Sequence, residues 1–136
     1  MKTVNQGKQW ISDLLIEGSI TNVISGVVYR DKRPIGSTKE DIVINSIAMD
    51  NSFLQDGVFN VNCYVPMLLK KINNIDQYLP NTVREDAISK AVYPILEKVF
   101  TSQYNLSIVN HNSFTEETEK VTYINFRINL KVYNNK

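Results

Sequence analysis

Residues 121–133, VTYINFRINLKVY, alternate apolar and polar side chains more strictly than any other part of the chain. Thr122, Ile124, Phe126, Ile128, Leu130 and Val132 fall on one side of that alternation. Tyr123, Asn125, Arg127, Asn129, Lys131 and Tyr133 fall on the other. Successive side chains of a strand point to opposite faces, so the stretch predicts a long strand with one dry face and one polar face. A sheet that is dry on one side needs a cover there, and the cover sets the fold class.

Working outward, YNLSIV (104–109) reads as the strand before it, and NHNSFTEETEK (110–120) as a polar connection closing the hairpin. GVFNVNCYVP (57–66) carries the same alternation, with Phe59, Val61, Cys63 and Val65 opposed to Asn60, Asn62 and Tyr64. DIVINSIA (41–48) and GVVYR (26–30) are shorter, β-branched strand segments. MLLKKINNIDQYLP (67–80) fits either a loop or a short helix.

Two segments supply the cover. In KQWISDLLIEGS (8–19), Trp10, Ile11, Leu14 and Leu15 recur at helical spacing, and Gly18 is placed to stop the helix. Ile20, Val23 and Ile24 add a second short turn. After Pro80, Thr82 and Glu85 have the spacing of a capping box. Ala87, Ile88, Ala91, Val92, Ile95, Leu96, Val99 and Phe100 then draw an apolar stripe that predicts a long helix. Pro94 inside it costs about 3 kcal/mol, against about 9–18 kcal/mol from burying six large apolar side chains, so a kinked helix is expected. The expected fold is therefore α+β: one domain over residues 1–136, an antiparallel sheet of four to five strands, a long helix packed on one face, and a short N-terminal helix.

The chain has 136 residues, 43% of them hydrophobic, and a formal net charge of +1. That length is enough for a core, and that charge gives no global field to attract nucleic acid or an anionic membrane. Cys63 is the only cysteine, so no intramolecular disulfide can form. No apolar run approaches a membrane span, and MKTVNQGKQW lacks the apolar core of a signal peptide, which points to folding in a cytoplasm.

Catalytic signatures are not found. His111, the single histidine, reads as a solvent-facing loop residue, and Cys63 as a small buried hydrophobe. PIGSTKED (34–41) lacks the G-x-x-x-x-G-K-[ST] pattern of a phosphate loop and no helix opens after it. Glu116, Glu117 and Glu119 crowd one turn without an apolar wall to shift a pKa. No metal site and no cofactor are expected.

Two features point instead to contacts. The stretch YRDKRPIGSTKEDIVIN (29–45) concentrates both signs of charge, in Arg30, Lys32, Arg33, Lys39, Glu40 and Asp41, and such a mixture suits a surface that can match it. The polar sheet face carries Asn60, Asn62, Tyr64, Tyr123, Arg127 and Lys131, and Tyr and Arg are enriched at protein interfaces. These twelve residues are the candidate subunit or partner interface, with the charged stretch expected to project from the sheet and to order on assembly.

The order of VVYRDKRP, EDIVINSI, FNVNCYVP, a long helix and a closing hairpin resembles the small tail-completion proteins of tailed bacteriophages, also called tail terminators or neck proteins. RPIGSTKEDIVIN and QDGVFNVNCYVP are similar to short phage and prophage proteins from gut Bacteroidetes. The resemblance implies a structural protein without catalytic residues, localised to the virion neck or tail and assembled in the host cytoplasm. It implies a homo-oligomeric ring, commonly a hexamer, in contact with other neck, connector and tail proteins. DNA would cross its channel without sequence-specific binding, and no membrane would be involved. Two departures from the family pattern are the length and charge of the Arg30–Asp41 turn and the proline inside the long helix.

Three readings follow: the virion assembly component, including a head–tail connector adaptor of similar fold; a small nucleic-acid-binding module using Arg30, Lys32, Arg33 and Lys39 with Arg127 and Lys131; and an enzyme with scattered site residues. Near-neutral charge weighs against the second, because DNA affinity rests on phosphate neutralisation. The third would have to work without an obvious His, Cys or metal cluster.

Overall fold

A computed structural model describes residues 1–134. Helix α1 spans Val4–Glu17, capped by Thr3, whose hydroxyl accepts from the Gln6 N–H, and ended at Gly18, whose N–H reaches the Leu14 carbonyl. A 3-10 turn, Ile20–Asn22, then leads to β1 (Val28–Arg30). Strands β2 (Ile42–Met49) and β3 (Leu54–Pro66) follow, then a hairpin of β4 (Leu68–Ile72) and β5 (Ile75–Leu79). Helix α2 (Thr82–Leu96) comes next, then β6 (Lys98–Phe100), β7 (Tyr104–Glu116) and β8 (Val121–Tyr133).

Six strands form one curled sheet in the order β1-β2-β3-β8-β7-β6, and β4 with β5 forms a separate two-stranded sheet. The central pairing is β3 with β8, antiparallel and in register from Leu54–Tyr133 to Pro66–Val121. Phe59, Val61, Cys63, Val65, Phe126, Ile128, Leu130 and Val132 therefore share one face, and all are buried. Both helices cover that face. Ile11 and Leu15 of α1, and Ile88, Val92 and Leu96 of α2, complete the core, and Trp10 stacks on Tyr104 with ring centroids 4.4 Å apart. Helix α1 comes so near the sheet that a Cβ on Gly7 would stand 2.4 Å from the Phe59 ring.

The expected fold class is overturned in strand count, strand direction and helix length. Of the described residues, 47% are strand and 24% helix. The main sheet has six strands and is mixed, because β1 runs parallel to β2. Neither helix is long: α1 has 14 residues and α2 has 15. Helix α2 ends at Leu96, two residues beyond Pro94, which removes a backbone donor from the last turn. Val99 and Phe100 then pair with β7 as strand β6 instead of extending the helical stripe. Three large side chains of that stripe are fully buried, contributing about 4.5–9 kcal/mol, still more than the proline costs.

Two connections are strands. Residues 110–116 continue β7, paired with β8 through Glu116–Val121, and only the residues around 117–120 turn. Both faces of this extension are wet, so its polar composition hid a strand that is held by ladder bonds to β8. Likewise 67–80 is neither loop nor helix but the β4–β5 hairpin. Its tip is Asn73-Asn74, both at positive φ (52° and 63°), the geometry of a two-residue hairpin turn. The cap of α2 also differs: Asn81 accepts from the Arg84 N–H, and Glu85 accepts from the Thr122 hydroxyl across the core.

Candidate interaction surfaces

The parallel pairing of β1 with β2 explains why the charged stretch exists. A chain that leaves one strand and enters its parallel neighbour must travel back along the strand, so residues 31–41 form a crossover, not a tight turn. Its charges anchor that crossover. Glu40 accepts from Arg84 Nε at 2.7 Å and Nη2 at 2.8 Å, and also from the Ser25 N–H at 3.1 Å. Arg84 donates onward to the Val23 carbonyl at 2.7 Å. The paired guanidinium holds the Glu40 carboxyl below its usual range, outweighing the opposing effect of burial.

Asp41 is 1% exposed. Its carboxylate accepts from the Val27 N–H at 3.2 Å, the Ser37 hydroxyl at 2.5 Å and Arg33 at 3.5 Å. Gly26 passes so close that a Cβ there would lie 2.0 Å from Asp41 Oδ1. Arg33 continues to Glu119 at 3.2 Å and places its guanidinium over the Tyr64 ring, 4.2 Å from its centroid. Arg30 reaches out to Gln9 at 2.7 Å, while Lys32 and Lys39 are exposed. The six charged candidates thus divide. Arg33, Glu40 and Asp41 turn inward and fasten the crossover to β3, α2 and the β7–β8 turn; Arg30, Lys32 and Lys39 face outward.

The polar sheet face is brought together by strand register. Tyr64 sits opposite Tyr123, which sits opposite Phe114, and the rings form a row, tilted at 4.9 Å in the first pair and stacked at 5.2 Å in the second. Burial pushes the Tyr64 phenol above its ordinary pKa, with Tyr123 adding to the rise and Arg33 opposing it. Beside the rings runs a chain of amides. Asn125 donates to Asn62 at 2.7 Å and to Asn60 at 3.0 Å, and Asn60 donates to Asn45 at 3.0 Å. Asn62 and Asn125 are buried within this network. Arg127 is exposed between Asn60 and Asn110 on the neighbouring strands, and Lys131 lies 3.7 Å from Asp56. The face is an amide network edged by an aromatic row, with Arg127 as its outward cation.

Sequence reasoning missed three features. Arg84 was unmarked, yet it anchors the crossover. The β4–β5 hairpin exposes Leu68, Leu69, Ile72, Ile75 and Tyr78, and its signal was the Asn-Asn pair between two apolar runs. His111 lies on β7, not in a loop, with its ring 5.7 Å from that of Phe126. It borders a groove of about 320 Å³ shared with Asp86, Ser89, Lys90, Tyr93 and Pro94 of α2.

Among the described residues, no group of three or more His, Cys, Asp or Glu could hold a metal ion, and every buried polar side-chain atom has a hydrogen-bond partner. Cys63 is fully buried, which pushes its thiol up to about 12. No helix of the described residues is long and apolar enough to cross a membrane. The arrangement offers surfaces to other molecules: a charged crossover, a polar and aromatic face, and an apolar hairpin.

No family model matches the chain, and no curated protein is significantly similar to it in sequence. Among solved structures, the fold is similar to a chain from the virion of the native gene transfer agent (GTA) particle, with a TM-score of 0.56 at 13% identity. The match covers 91% of this chain and 92% of that one.

Proposed function

We propose that this chain is a non-enzymatic structural protein of a phage-like virion, acting at the neck as a tail-terminator or tail-completion protein that forms a ring at the head–tail junction. The observation that carries the reading is the fold similarity to a GTA virion chain, which takes in nearly the whole of both chains. Open surfaces fit such a role: an assembly protein needs contacts that repeat around an axis, and heterologous contacts that close make rings. A head–tail adaptor of similar fold occupies the same region, and antibody labelling at the connector or the tail side separates the two.

Light scattering on the purified chain, alone and with connector and tail components, tests this reading. Discrete oligomers, formed alone or on that addition, are expected. A strict monomer under every condition contradicts it.

The exposed cations Arg30, Lys32, Lys39 and Arg127 favour one second reading, a nucleic-acid contact. A salt-dependent shift of non-specific DNA, lost in a variant with Arg30, Lys32 and Lys39 changed to Ala, would support it.

A further inference from the structure

The β4–β5 hairpin and the far half of β7 are two incomplete surfaces at the same end of the molecule. The hairpin leaves the sheet where β3 ends, with the Met67 N–H bonded to the Lys120 carbonyl at 2.9 Å, and no other element packs substantially on it among the described residues. One of its faces presents Leu68, Ile72, Ile75 and Leu79 around the Lys70–Gln77 pair. Two-stranded hairpins are marginal in water, and four aliphatic side chains on an uncovered face call for a partner.

The outer edge of β7 is the complementary defect. Strand β6 pairs only with residues 105–107, and the Ile108 N–H still reaches the Glu97 carbonyl at 3.3 Å. From Val109, the extra residue of a bulge, to Glu116 the edge has no strand beside it among the described residues. An open run of eight residues is a template for strand addition and is longer than either five-residue strand of the hairpin. The groove between α2 and His111 opens beneath the same edge, where an added strand would set apolar side chains against Tyr93, Pro94 and Phe126.

We infer that the β4–β5 hairpin of one copy adds to the open β7 edge of a second copy and lays its apolar face over the Tyr93–His111 groove. Charge favours this occupant. The hairpin carries Lys70 and Lys71 against Asp76, whereas residues 109–119 contain Glu116, Glu117 and Glu119 and no lysine or arginine. Within one chain β8 stands between β3, which carries the hairpin, and β7, so donor and acceptor are separate surfaces. A contact between separate surfaces is heterologous and repeats from copy to copy, closing into a ring where the rotation allows. The inference rests on the self-assembly part of the proposed function and names the contact.

Two measurements on the full chain test it. Sedimentation compares wild type with Ile72→Lys/Ile75→Lys; disulfide trapping mixes Ile75→Cys with Ser113→Cys, which shares the groove side of β7 with His111, using Ile75→Cys with Thr21→Cys as the control pair. Cys63 stays silent because it is fully buried. The expected results are at least a tenfold weaker association of the lysine variant at unchanged circular dichroism, and a mixed dimer from the first pair alone. Wild-type association that the lysine variant retains, with no selective trapping, overturns the hairpin contact and leaves self-assembly standing. A wild type that is monomeric and never traps, at every concentration and also with connector and tail components added, removes both.

Discussion

At Glu40, a carboxylate that is 9% exposed survives burial because Arg84 meets it with two hydrogen bonds and Ser25 with a third. The two ends of that pair are unequal. Arg84 keeps about a third of its side chain in water and can be solvated if abandoned, whereas Glu40 cannot. Arg84→Ala should therefore cost about 2–3 kcal/mol and Glu40→Gln about 1–2 kcal/mol in urea unfolding. Because the folded-state pKa of Glu40 lies below its ordinary 4.5, its contribution to stability is present above that value and disappears as pH falls through the lower, folded one. Unfolding free energy measured downward from pH ~5 should consequently fall less steeply in Glu40→Gln than in wild type. Gly26 belongs to the same anchor: Gly26→Ala would force Asp41 off its hydrogen bonds, and a loss of about 1–3 kcal/mol is expected. An unchanged melting temperature in that variant would show the crossover to be less tightly fixed.

Helix α2 and the hairpin show where elements depart from their sequence signals. If the helix stripe ends at Leu96, Ile88→Ala should cost about 2–5 kcal/mol, while Phe100→Ala, at a residue 68% exposed, should stay within about 0.5 kcal/mol. In the monomer, hairpin amides of residues 68–79 should exchange with deuterium far faster than those of β3 and β8, because the hairpin has no core of its own. Equal protection in both regions would mean that something already covers it. The strands with a single buried face, β3 and β8, were legible from alternation alone, as was α1 from its spacing and Gly18. The far half of β7, with both faces exposed, and the hairpin were not, because alternation reports burial on one side, and ladder pairing leaves no such trace in composition. The same limit applied to the site. Tyr64, Tyr123 and Arg127 could be grouped by period, but the inward turn of Arg33, Glu40 and Asp41 depended on Arg84, 44 residues from Glu40 in sequence.

At the scale of the whole molecule, the six-stranded mixed sheet with two helices on one face leaves three surfaces open at once: an amide and aromatic face, an apolar hairpin and an unpaired strand edge. A chain that worked alone would have little use for an uncovered hairpin beside an uncovered edge, and each is an aggregation hazard unless occupied. The proposed assembly into a larger particle would occupy them. Hydrogen exchange on assembled material should then show residues 68–79 and 109–116 gaining protection together if the inferred contact covers both. The most direct test of the virion reading is immunogold electron microscopy, with antibody to this chain, on purified particles from the cells that produce it. Label at the head–tail junction is predicted. Particles that carry no label, from lysates in which the chain is abundant, would contradict the account.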